Sequence, residues 1–172
     1  MVEVALSKRS QKWKGMVAWV DERDYLLVSS YSWHAQEKRS TFYAATRVAH
    51  PASPGRTTLR MHRLILGLEF GDGRLIDHID GNGLNNQRSN LRIATNSQNQ
   101  MNRGSQRGSS SRFAGVSFHK QSGRWQARIT CDARLQHLGL HKTEEEAALA
   151  YNQAALAVHG EFARLNTIGE NR

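Results

Sequence analysis

Apolar positions along this chain come mostly in short alternating runs, the pattern of half-buried strands, and helical spacing is confined to a few places. Residues 33–36, 41–48 and 57–65 read as strands in the first third, after a short helix expected over 21–32. In the middle, 74–79 alternates as a strand, 80–90 is a Gly- and Asn-rich loop, and 91–94 makes a second strand. Thr95 and Gln98 have capping-box spacing and open a helix running toward Arg103. Toward the end, 113–118, 125–131 and 136–140 read as three antiparallel strands with turns at 120–123 and 132–134. Thr143 and Glu146 form a second capping box, and Ala147, Ala150, Tyr151, Ala154 and Val158 then recur at helical spacing up to Gly160. The fold class expected is α+β: a β-rich start, a strand–loop–strand–helix core, then a three-stranded sheet with one helix.

Composition narrows the partners. The chain carries 24 Lys and Arg against 15 Asp and Glu, a formal charge of +9 with pI 10.3, which favours a polyanion. The charge is concentrated: residues 104–143 hold seven basic side chains and only Asp132 on the acidic side, whereas 144–172 hold two basic and five acidic. Residues 104–111 are rich in Gly and Ser and read as a flexible basic linker. The domains expected are therefore 1–103, with a catalytic core at about 74–103, and 112–168. Lys8, Arg9, Lys12 and Lys14 make a solvated or DNA-contacting arm. No apolar run approaches the ~18 residues of a membrane span, the amino terminus has no signal-peptide core, and a single Cys131 excludes an intrachain disulfide and a Cys-based zinc site. A polyanion in a reducing cytoplasm is the expected setting, with no membrane partner.

Candidate chemistry sits in the middle third. His78, with a reference pKa of ~6.5, suits a general base at neutral pH. Asp77 and the amide oxygen of Asn99 are hard oxygen donors for one Mg²⁺ or Mn²⁺, which leaves room for phosphate and water. Asn90 is placed to orient the imidazole. Asn96, one helical turn from Asn99, is a rival ligand. The loop asparagines, Asn82, Asn85 and Asn86, are read as holding their own loop through bonds to its backbone. His34 and His62 are read as polar residues tied into a small core, with phosphate contact as the alternative. In the last third, Arg124, Trp125, Arg128, Arg134 and His137 are candidates for a sheet face left open to a DNA groove.

Two resemblances add to this. The segments F-A-G-V (113–116), G-R-W-Q-A-R-I (123–129), T-E-E-E-A-A-L-A-Y (143–151) and A-A-L-A-V-H-G (154–160) resemble the AP2, or ethylene-response-factor-like, DNA-binding domain over roughly 111–166. That likeness implies groove reading by Arg124, Trp125 and Arg128. Ser117 and Phe118 stand where plant members carry arginines, so base preference does not carry over. The segments M-H-R-L-I-L (61–66), I-D-H-I-D-G-N (76–82), N-N-Q-R-S-N-L-R (85–92) and T-N-S-Q-N-Q (95–100) resemble the HNH, or ββα-metal, nucleases, in particular the homing endonucleases of phages and their introns. The resemblance implies His78 as general base, Asn90 as the central Asn, and Asp77 with Asn99 as metal ligands. It also implies a phage-encoded protein acting in a bacterial host. The competing reading is a non-enzymatic DNA-binding regulator on the same scaffold, which loss of any of these four positions would favour; all four stand.

Overall fold

In a computed structural model, residues 1–7, 14–38, 41–102, 108–131 and 134–169 are described. The chain divides into two compact units, Met1–Thr95 and Asn96–Arg172. Of the basic arm, Lys8, Arg9 and Lys12 lie outside the described residues, as does the linker segment 103–107.

The first unit is built on three small antiparallel sheets. β1 (Val2–Ala5) pairs with β2 (Val17–Val20), β3 (His34–Lys38) with β4 (Thr41–Ala49) and β4 with β5 (Arg56–Arg60), and β6 (Leu75–His78) with β7 (Leu91–Ala94). The β1–β2 pair was not expected from the pattern. The short helix expected over 21–32 is a 3₁₀ turn at Glu22–Asp24 followed by α1 (Tyr25–Ser29). The strand expected over 57–65 stops at Arg60, and Met61–Ile65 is a helix, α2. Its register explains the switch: Met61 and Ile65 stand one helical turn apart and are both buried, so a helix sends to the core two side chains that a straight strand cannot seat against the same neighbours. Val20, Val28, Trp33, Met61, Ile65, Leu84 and Leu91 meet in one core, and Trp33 donates its indole N–H to Val28 O at 2.8 Å. A salt bridge between Asp24, which is buried, and Arg88 ties the 3₁₀ turn to the stretch before β7; Arg88 Nη2 also donates to Ile65 O at 2.6 Å.

The second unit begins with α3 (Asn96–Met101) and continues into a sheet of β8 (Val116–His119), β9 (Arg124–Cys131) and β10 (Arg134–His141), ordered β10-β9-β8, and α4 (Glu144–His159). Both halves of the Thr143/Glu146 capping box are formed, and Gly160 ends α4 at φ 52°. Ala147, Ala148, Tyr151 and Ala155 press this helix onto Val116, Ala127 and Ile129. Small side chains permit that close approach. Gly115, at φ 72°, is required by it, since a Cβ there would come within 2.1 Å of the Tyr151 ring. Asn166 fastens the chain end: its amide exchanges hydrogen bonds with Ala114 N and O, and its backbone does so with the amide of Asn152. Residues 113–115 lead into β8 as a turn, so the first strand of this sheet starts later than its apolar run.

Candidate active site

β6 ends at His78, and both of its last residues are buried, Asp77 at 5 % and His78 at 4 % exposure. Alternation sends the two side chains to opposite faces of the strand. Asp77 stands directly across the ladder from Arg92, whose Nε and Nη2 donate to Asp77 Oδ2 at 2.9 and 2.7 Å. A buried carboxylate is thereby compensated by a buried guanidinium.

Beyond His78 the chain makes a tight turn, with Gly81 N donating to His78 O at 2.8 Å. The loop that follows is held by its own side chains. Asp80 accepts from Asn82 N, Asn85 Nδ2 and Asn90 Nδ2, and Leu84 N donates to Asn82 Oδ1. Asn90 closes it: Oδ1 accepts from Asp80 N, Nδ2 also donates to Asn85 O, and its backbone carbonyl accepts from Ile79 N at 2.9 Å. The Asn90 amide thus fixes the backbone on either side of the turn after His78. Its side-chain hydrogen bonds go to Asp80 and Asn85, so it bears on the imidazole through this turn.

The amide beside the imidazole belongs to Asn86. This residue has no exposed surface. Its backbone N–H donates to Trp19 O at 2.7 Å and its Nδ2 to Leu84 O at 3.0 Å. With Nδ2 so engaged, Oδ1 is left buried without a hydrogen-bond partner among the described residues, and Asn86 bears on His78 by favouring its protonated ring. Sequence reasoning missed Asn86 as an imidazole partner because it lies in a run of loop asparagines that are chemically alike. The signal that could have found it is its place between two apolar-facing positions of the loop, Leu84 and the β7 entry.

Two rings complete the wall. The His62 imidazole on α2 meets that of His78 edge to face, with centroids 5.1 Å apart, and Tyr43 on β4 lies 5.5 Å from His62 and 5.6 Å from His78. His62 is therefore a wall of the His78 site as well as a core residue. Burial above all, then the charge of His78, holds the His62 pKa well below the ordinary histidine value. Burial is also the largest influence on His78 and lowers its pKa, against smaller opposing effects of Asn86, Asp80 and Asp77. Burial thus favours the neutral form of both rings. His34 is buried on β3, paired with Ala45.

Asp77, His78 and Asn90 thus come together within the first unit. Asn99 and its rival Asn96 lie on α3, in the second unit. Asp77 carries a carboxylate and Asn96 and Asn99 carry amide oxygens, donor types suited to Mg²⁺ or Mn²⁺ and not to a thiophilic ion. Among the described residues no three His, Cys, Asp or Glu side chains converge as a metal cage.

In the second unit, alternation along β9 puts Arg124, Gln126 and Arg128 on the sheet face away from Ala127 and Ile129. His137, the partner of Arg128, shares that open face. Arg128 Nη2 donates to Ser117 Oγ at 3.3 Å, and Gln126 is hydrogen-bonded to the His137 ring. By strand parity Trp125 and Arg134 lie on the other side of the sheet. Trp125 packs against the core under α4 and meets the Phe118 ring at 5.2 Å, while Arg134 pairs with Cys131 and by alternation falls on the same side as Ala127. The strand parity that exposes Arg124 and Arg128 necessarily turns Trp125 the other way.

Comparison with known proteins accords with this geometry. An uncharacterized HNH endonuclease of Acanthamoeba polyphaga mimivirus is 32 % identical over 160 residues, 90 % of this chain and 77 % of that protein. Protein 3.8 of Escherichia phage T7 is 33 % identical over 92 residues, 54 % of this chain and 75 % of its own length. The ethylene-responsive transcription factor WRI1 of Arabidopsis thaliana is 41 % identical over 58 residues, 33 % of this chain but only 14 % of that protein, a likeness confined to the C-terminal region. The family profile described as HNH endonuclease matches residues 60–101, the stretch that runs from α2 through Asp77, His78 and Asn90 to α3. A buried imidazole at the end of a short hairpin, a carboxylate beside it, an asparagine-braced loop and a relative matched over most of both lengths all place this chain in the HNH endonuclease family.

Proposed function

We propose that this protein is a site-specific, metal-dependent DNA endonuclease of the homing type. The observation that carries the reading is His78 itself: a buried imidazole walled by His62 and Tyr43, at the strand end next to a buried carboxylate, where burial favours its neutral form. Such a group takes a proton from water without first having to lose one. Asp77 and Asn99 would hold one Mg²⁺ or Mn²⁺, with Asn96 as the alternative ligand from α3. When bound, that ion stabilises negative charge on the phosphate and on the leaving 3′ oxygen. Asn90 keeps the turn after His78 in one conformation, so the base holds its position as water is deprotonated.

The open face of the second unit supplies affinity and preference, through Arg124, Arg128 and His137 in a DNA groove. Likeness to plant transcription factors in this region supports that division of labour. The protein acts as a monomer on double-stranded DNA in the cytoplasm of a bacterial host, encoded by a phage as the T7 relative is.

Supercoiled-plasmid nicking tests the reading directly. With Mg²⁺ or Mn²⁺ the wild type should convert supercoiled to nicked DNA at discrete positions, EDTA should abolish conversion, and His78→Ala should abolish it while leaving DNA affinity within about twofold. Tight binding without cleavage in any metal, on DNA that includes phage and host sequence, would favour the regulator.

A further inference from the structure

Arg60 ends β5 and caps the start of α2, two residues before His62. In the β4–β5 ladder it stands opposite Ala45, and Tyr43 lies two residues along β4 on the same face. Cross-strand diagonal neighbours of this kind lie within reach of long side chains. The guanidinium carbon of Arg60 sits 5.5 Å from the centre of the Tyr43 ring, and that ring in turn contacts both His62 and His78. One aromatic ring thus separates a cation from the imidazole assigned as general base.

The neighbouring arginines are occupied. Arg63 donates to the carbonyls of Glu69, Asp72 and Arg74, Arg88 pairs with Asp24, and Arg92 pairs with Asp77. Among the described residues Arg60 has no carboxylate partner and no side-chain hydrogen bond; its half-buried stem rests on Tyr43 and its charge is uncompensated. Opposite it, Ala45 is too small to cover the fork. A planar, undirected guanidinium of this kind, held by a ring rather than by an anion, matches the geometry of a phosphodiester.

We infer that Arg60 binds a backbone phosphate of the DNA beside the scissile bond, seated by Tyr43 so that one ring spaces the phosphate clamp from His78. The inference rests on the endonuclease reading for the word scissile, but the phosphate contact can be measured without cleavage.

The test uses the full chain and a fluorescent mixed-sequence duplex in EDTA, with affinity followed against KCl concentration. Each phosphate contact contributes about 0.9 to the slope of log affinity on log salt. Arg60→Gln should lower that slope by about one and weaken binding about three- to tenfold at low salt, whereas Arg60→Lys, which keeps a cation, should retain the slope. Should Arg60→Gln melt early, Arg60→Met replaces it, since its stem still covers Tyr43. In the nicking assay the neutral variant should raise KM more than it lowers kcat. A folded neutral variant with the wild-type slope overturns the inference. A wild type that cuts nothing removes the endonuclease reading and leaves the slope comparison to decide Arg60 alone.

Discussion

Arg92 faces Asp77 across the β6–β7 ladder and donates to its Oδ2 from both Nε and Nη2. The pair is buried on both sides, the Arg92 side chain at 13 % exposure and that of Asp77 at 6 %. This is the arrangement in which removing one partner is costly, because the other is left charged and out of water. A divalent ion on Asp77 would supply the same compensation.

Arg92→Gln should therefore destabilise the metal-free protein by about 3 kcal/mol and make it unusually responsive to metal. Melting in EDTA and in Mg²⁺ should show a larger upward shift for the variant than for the wild type, since an ion bound only by the folded state stabilises it by mass action. Equal shifts in the two proteins would remove Asp77 from the ligand set.

Asn86 allows a prediction with a sign. Activity requires a neutral His78, so the rate should rise with pH through the His78 pKa, and because burial lowers that pKa the acid limb should lie below the ~6.5 of an unperturbed histidine. The Asn86 oxygen opposes this shift by favouring the protonated ring. Asn86→Ala should move the limb to still lower pH and cut kcat about 10- to 100-fold through loss of imidazole orientation. Asn86→Asp places a negative charge at the same point and should move the limb upward. A pH–rate profile identical in all three proteins would show that Asn86 acts on the loop alone.

What the sequence reveals and what it hides follow from range. The two terminal strands of the candidate site, the last helix and its capping box are legible because their signals are local: alternation over four residues, or a Thr three places before a Glu. The partner of the imidazole is not, because Asn82, Asn85, Asn86 and Asn90 are the same side chain in one loop. Only the bridge that Asn86 and Asn85 make to Trp19, more than sixty residues away, turns Asn86 inward. His62 was hidden for the same reason. Its neighbours His78 and Tyr43 come from other elements, and no spacing along the chain announces the meeting. For Trp125 the obstacle was parity, since an aromatic between two arginines suits either face until the strand register is known.

Gly83 couples the loop to β4. Its N–H donates to Thr41 Oγ1 at 3.0 Å, and a Cβ at this position would fall 2.4 Å from Phe42 O and 2.6 Å from the Tyr43 ring. The obstruction includes backbone, so no rotamer relieves it. Gly83→Ala should cost about 2–3 kcal/mol, and because the Tyr43 ring packs against His78 it should depress cleavage beyond the loss of folded protein. Nicking rates normalised to the folded fraction measure that excess; a rate that simply tracks folding would confine Gly83 to stability.

The open sheet face makes the last prediction one of contrast between neighbours. Arg128 projects toward the proposed DNA side with His137, and Trp125, three residues earlier, supports the core beneath α4. Arg128→Ala should weaken duplex binding about tenfold, by the ~1–3 kcal/mol of a lost groove contact, with melting little changed, because the half-buried guanidinium is bonded only to Ser117 among the described residues. Trp125→Ala should do the reverse and lower melting through the cavity it leaves, by about 2–3 kcal/mol for a half-buried ring, with affinity falling only as folded protein is lost. Binding titrations paired with thermal melts for the two variants separate the faces. Should Trp125→Ala lose affinity while fully folded, the tryptophan would belong to the DNA-reading surface, and the boundary between core and interface would have to be drawn one strand position further in.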